Sequence, residues 1–144
     1  TIASDMSALG FNADMAPVAD VWSNPENTVI GDRAYSDDFQ QAAVLVASAV
    51  EGFHAGGVAT ALKHFPGHGD TSEDSHYGAV FITKTLEEIR EKELLPFRAC
   101  LLLACTIFYD TAAAILLHPS PVKGECVILL RVKYVSRLHF PIRS

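Results

Sequence analysis

Between Lys63 and His76 the chain reads KHFPGHGDTSEDSH, which places three of its six histidines and three carboxylates within fourteen residues. Histidine changes charge nearest neutral pH, so a carboxylate beside it makes an acid/base pair. Asp74 and His76 stand two apart, and in an extended loop that spacing puts both side chains on one side. The carboxylate would then accept from one ring nitrogen, fixing the tautomer and raising the basicity of the other, which can release and recover a proton. The plainer alternative is a local Asp–His turn bond of structural value only.

Other chemistries fit the same residues less well. His64 and His68 are four apart, as in the zinc helix motif, but that motif needs a helix and a Glu beside the first His, whereas Phe65, Pro66 and Gly67 intervene here. No metal or other cofactor is therefore expected. A phosphate-cradling loop is not indicated either, because no Gly-rich turn precedes a Lys-Ser/Thr pair. Lys63 and His64 close an apolar run, where a lysine is costly unless it snorkels or binds something. Arg33, in Ile30-Gly31-Asp32-Arg33, reads either as a loop ion pair with Asp32 or Asp37 or as a ligand-binding group. On a shared face Arg33, Lys63 and His64 would offer donors to the hydroxyls of a polar ligand.

The elements that must position these residues follow a regular order. Ser4 to Leu9 reads as a short helix closed by Gly10, and Phe11 to Val21 as a strand emerging into a loop, with Pro17 near its end. Trp22 to Tyr35 is a long loop rich in Asn, Pro and Gly. Ser36 is expected to cap a helix whose buried face is Phe39, Ala42, Ala43, Val46, Val50 and Phe53, ending at Gly56-Gly57. Val58 to Phe65 reads as a buried strand, Pro66 to Gly78 as a polar loop, and Ala79 to Ile82 as a brief apolar return. Thr85 and Glu88 form a capping box for a helix through Ile89, Leu94 and Phe97, which Pro96 should kink or break.

Strand, loop, helix, strand, loop, helix, with each polar loop after a strand, predicts an α/β fold with a parallel sheet. In a (β/α)8 barrel such loops share one face and carry the chemistry.

The 144 residues are 49% hydrophobic and 19% charged, enough apolar material for one domain at most. A net charge of −6 leaves no basic surplus for a phosphate backbone, so no nucleic-acid partner is expected. The charge is uneven: residues 1–99 hold 15 acids against 6 bases, a balance of −9, whereas residues 100–144 hold 2 acids and 5 bases, a balance of +3. All three cysteines, Cys100, Cys105 and Cys126, lie in the second stretch, which argues against a disulfide framework. Leu101 to Leu117 is apolar, but Asp110 sits within it, so no membrane span is expected.

Two stretches, APVADVWSNPENTVIGDRAYSDD (Ala16 to Asp38) and ALKHFPGHGDTSEDSH (Ala61 to His76), resemble the bacterial β-N-acetylglucosaminidases of glycoside hydrolase family 3. LEEIREKELLPFRA is also similar, so the likeness runs from about Thr1 to Ala99. The D-S-H loop separates these hexosaminidases from the family's β-glucosidases. The resemblance implies a TIM-barrel domain and an exo-acting, retaining, metal-free enzyme that removes β-linked N-acetylglucosamine from peptidoglycan fragments and related glycosides. Retention requires two displacements through a glycosyl-enzyme intermediate. By position, His76 would be the acid/base, assisted by Asp74, and Arg33, Lys63 and His64 would bind the sugar.

The likeness also has gaps. The family's nucleophile is an aspartate in a T/S-D-x-L/M motif, and past Ala99 the sole aspartate is Asp110, in FYDTAA, which does not match. A D-Q-E-G-G-like run expected upstream is absent too. The expectation is a part of the barrel holding only a few βα units in residues 1–99, followed by a non-family tail, 100–144, frame-shifted or disordered. Such a chain would carry the acid/base loop without the nucleophile and be inactive alone. A non-catalytic or vestigial N-acetylglucosamine-binding chain is the alternative. Thr1 to Met6 shows neither the basic nor the apolar region of a signal peptide, so a cytoplasmic location is expected, with secretion as the alternative.

Overall fold

The computed structural model describes residues 1–72, 82, 84–100 and 103, together with the backbone of 106–110. Helix α1 (Ile2–Ala8) starts at Thr1, whose hydroxyl accepts from the Ser4 N–H, and the chain leaves it through Gly10 at φ +88°. Strand β1 (Ala13–Asp14) is shorter than the sequence suggests, but the chain stays beside β2 (Ala59–Phe65) well past it. The Ala61 N–H donates to the Ala16 carbonyl (3.1 Å), the Lys63 N–H to the Pro17 carbonyl (3.3 Å) and the Ala19 N–H to the Lys63 carbonyl (2.5 Å). Pro17 has no N–H to give, so only its carbonyl joins the ladder.

Helix α2 (Phe39–Ala55) begins at Asp38 instead of Ser36, because the Asp38 carboxylate takes the Gln41 N–H at 2.7 Å. The Ser36 hydroxyl sits one step outside and accepts from the Asp38 N–H at 3.0 Å. The helix stops at Gly56, and Gly57 follows at φ +79°. The expected break at Pro96 divides α3 (Leu86–Glu91) from α4 (Leu95–Cys100), where proline occupies the first turn and forfeits no helical bond. The Thr85–Glu88 capping box is complete, and the Thr85 backbone N–H on the Glu88 carboxylate, followed by the Thr85 hydroxyl, holds that carboxyl below its usual range. Ala79 to Phe81, the start of the expected apolar return, lie outside the described residues.

Strand β3 (Thr106–Asp110), for which the sequence reading assigned no element, adds to the far side of β2. The sheet order is β1-β2-β3 and every pairing is parallel, Ala13 opposite Ala59 and Thr60 opposite Thr106. Its parallel βα order is the one expected, with α2 linking β1 to β2 and α3 and α4 linking β2 to β3. The core forms where Ala19 and Leu62 of the sheet meet Val46 and Val50 of α2 and Phe97 and Cys100 of α4. Burying each of these Val, Leu and Phe side chains stabilises by roughly 1.5–3 kcal/mol. Burial, then the Glu51 charge, pushes the Cys100 thiol up to about 11. Among the described residues no helix is long and apolar enough to cross a membrane. Most of Leu101 to Leu117 lies outside them.

Candidate active site

The C-terminal ends of β1 and β2 are joined by a buried polar cluster. Asp20 follows the β1 segment, and its carboxylate faces the turn that leaves β2. Oδ1 accepts the His68 N–H at 2.7 Å, both oxygens lie near the His64 N–H (3.2 and 3.1 Å), and Oδ2 meets His64 Nδ1 at 2.6 Å. The Asp20 side chain has no exposure, whereas that of His64 keeps 14%. A buried carboxylate is tolerable because its acceptor capacity is used by these N–H groups.

Asn27 performs the matching task for the turn's other polar groups. Its amide donates to the His68 carbonyl (2.7 Å) and the Thr71 hydroxyl (3.3 Å), and its Oδ1 accepts from the N–H groups of Val29 and Ile30 (3.0 and 2.8 Å). Thr71 Oγ1 donates to the His68 carbonyl (2.9 Å) and lies 2.5 Å from His68 Nδ1. A hydroxyl has one proton, so His68 donates from Nδ1, and its buried Nε2 has no partner among the described residues. The His64 and His68 rings meet edge to face, 5.9 Å apart. Gly69 lets the turn approach the segment that follows β1: a Cβ there would stand 1.8 Å from the Val21 carbonyl oxygen.

The polar loop that follows carries Asp74 and His76, which lie outside the described residues. Its two flanks are joined. Lys84 Nζ pairs with Asp70 at 3.1 Å and with Glu93, and Asp70 also accepts from the Ser23 hydroxyl at 3.2 Å. Burial by itself lowers the Lys84 ammonium, but the bonds to Glu93 and Asp70 outweigh it and the net shift is upward.

Arg33 occupies a 3-10 turn, Gly31–Arg33, and is exposed. Its guanidinium donates to the Val29 carbonyl at 3.0 Å, and among the described residues it forms no ion pair with Asp32 or Asp37. It lines an open cleft of about 510 Å³ with Asp14, Pro17, Val18, Asp32, Tyr35 and Phe53. Lys63 and His64 do not line that cleft, although Val18 bridges to Lys63. Lys63 is half-buried at the end of β2. Among the described residues no three His, Cys, Asp or Glu side chains converge as a metal-ligand set.

Asp20, Asn27 and Thr71 were not among the residues the sequence singled out. An ionisable residue closing an apolar strand, as Asp20 does in APVADV, was the available signal. Asn27 and Thr71 act through buried bonds across 41 and 44 residues, which no local pattern marks.

Residues 1–106 match the glycosyl hydrolase family 3 N-terminal domain. The chain belongs to this family. It is 44% identical over 96 residues to a beta-hexosaminidase A of Pseudoalteromonas piscicida, a match covering 67% of this chain and 16% of that protein. Among solved structures it resembles a glycoside hydrolase family 3 beta-N-acetylglucosaminidase from Paenibacillus (TM-score 0.68, 41% identity), over 74% of this chain and 22% of the other. It also resembles NagZ from Neisseria gonorrhoeae in complex with N-trifluoroacetyl-D-glucosamine (TM-score 0.70, 31% identity), over 76% of this chain and 32% of that one. The chain thus spans between 16% and 29% of the length of the first curated relatives. The parallel sheet and its helices are βα units of the TIM-barrel type, part of the α/β barrel expected.

Proposed function

We propose that this chain belongs to the catalytic face of a β-N-acetylhexosaminidase, with Lys63, His64 and Arg33 binding a terminal β-linked N-acetylglucosamine and His76, assisted by Asp74, transferring protons at the glycosidic oxygen. The supporting observation is the position of Lys63 and His64 at the C-terminal edge of a parallel sheet, where barrel enzymes do their chemistry, with His64 tied to Asp20. The similarity to a structure holding N-trifluoroacetyl-D-glucosamine supports the sugar class. Muropeptides and other N-acetylglucosamine-containing glycosides are the proposed substrates.

In this reading His76 first protonates the leaving oxygen as an aspartate attacks the anomeric carbon, and then deprotonates the water that cleaves the glycosyl-enzyme. An imidazole does this without a second carboxylate charge beside the nucleophile. Past Ala99 no T/S-D-x-L/M motif supplies that nucleophile, so the 144-residue chain is proposed to bind the sugar without turning it over.

Two measurements test this. Titration of the chain with N-acetylglucosamine should saturate, and Lys63→Ala should abolish that binding; no saturable binding removes the sugar-site reading. A chromogenic β-N-acetylglucosaminide should show negligible hydrolysis. Robust turnover that His76→Ala abolishes would refute the missing-nucleophile part while supporting the acid/base assignment.

A further inference from the structure

We infer that Asp20 is a positioning residue for sugar recognition, holding His64 in the tautomer that carries its proton on Nδ1 and presents Nε2 as a hydrogen-bond acceptor. The inference rests on the reading of Lys63 and His64 as sugar-binding residues. Its geometry does not depend on any ligand.

Three N–H groups converge on the Asp20 carboxylate: the backbone N–H of His68 at 2.7 Å, the backbone N–H of His64 at 3.1–3.2 Å, and His64 Nδ1 at 2.6 Å. The two backbone groups can only donate, so the carboxylate is used as an acceptor throughout, and Nδ1 must supply the proton for the third and shortest contact. In the neutral ring Nε2 is then a bare lone pair. No partner engages that nitrogen among the described residues, and the side chain keeps some exposure while Asp20 keeps none.

The pairing has a consequence for what His64 can recognise. The Lys63 ammonium only donates, whereas a neutral His64 held in this way only accepts at Nε2. A sugar hydroxyl does both, since it has one proton to give and lone pairs to receive. Consecutive residues of opposite hydrogen-bonding sense therefore suit a ligand rich in hydroxyls better than a carboxylate or phosphate, which would find no proton donor at Nε2. Asp20 confers this selectivity from 0% exposure, without touching the ligand itself.

The same carboxylate also helps fold the turn through the His68 N–H, so the test needs a readout that a purely structural role would not move. In the full chain labelled with nitrogen-15, long-range correlation of ring protons to ring nitrogens at neutral pH reports which nitrogen is protonated, and His64→Gln assigns the signals. The expected result is an Nδ1–H pattern for His64; an Nε2–H pattern, or a rapidly exchanging mixture, overturns the proposal. Asp20→Asn should convert that pattern to a mixture and weaken N-acetylglucosamine binding by about tenfold. Retention of both the pattern and the affinity in Asp20→Asn also overturns it. The tautomer is read in the unaltered chain, so an Asn variant that fails to fold does not remove the test. An Nδ1–H pattern without any sugar binding supports the Asp20 assignment and sinks the sugar-site reading, which separates the two failures.

Discussion

The C-terminal end of β2 with the turn that leaves it, and the turn at Gly31–Arg33, each present basic residues matched to the sugar by resemblance, yet they are held differently. His64, His68 and Thr71 lie in a cluster where Asp20 and Asn27 reach across from the first strand and its loop, through bonds that are buried or nearly so. The Arg33 guanidinium is exposed at the open cleft and, among the described residues, is held by a single side-chain bond, to the Val29 carbonyl. The first arrangement sets a side chain's tautomer and direction before any ligand arrives. The second supplies a charge whose position costs little to change, so its proposed part is in binding and not in the fold.

This contrast can be broken by substitution, and the largest effect is expected where backbone meets backbone. Gly69→Ala forces a Cβ to within 1.8 Å of the Val21 carbonyl oxygen, so the turn after β2 must separate from the segment that follows β1. A loss of about 3 kcal/mol or more is expected by urea unfolding, or failure to fold. Asn27→Ala comes next: it removes one of two donors to the His68 carbonyl and the acceptor of the Val29 and Ile30 N–H groups, at a cost of about 2–3 kcal/mol by the same measurement.

Lys84 tests the flanks of the polar loop through pH. Its ammonium is raised in the folded chain despite burial, through Glu93 and Asp70, so its contribution is complete below the ordinary lysine value of 10.5 and is lost as pH rises through the higher folded value. Unfolding free energy measured at pH 8 and pH 11 should fall by about 1 kcal/mol more in the unaltered chain than in Lys84→Met. An identical fall in both removes the pairing as a stabilising contact.

Arg33→Ala should show the smallest change in stability, within about 0.5 kcal/mol, while N-acetylglucosamine affinity drops by about tenfold. Destabilisation as large as that of Asn27→Ala would erase the distinction between the two turns.

Much of this organisation was legible because it is local. The buried stripe of α2, the Gly56-Gly57 stop, the Thr85–Glu88 box and the break at Pro96 each depend on residues within a few positions of one another. The helix start was misplaced by two residues because Ser36 and Asp38 can both cap, and the closer carboxylate takes the Gln41 N–H. Strand β3 was missed since the apolar stretch around it shows no period that separates strand from helix.

By itself the sequence determined the order of strands, loops and helices as far as α4, the concentration of histidine and carboxylate at and after the end of β2, and the family to which those motifs point. Only the tertiary structure decided that Asp20 faces His64, that Asn27 spans to the His68 carbonyl, and that Gly69 lies against Val21. These pairings join residues more than forty positions apart, and they arise because parallel strands bring their C-terminal ends to one edge. Local composition encodes the groups that can do chemistry; burial and the register between strands select which of them meet.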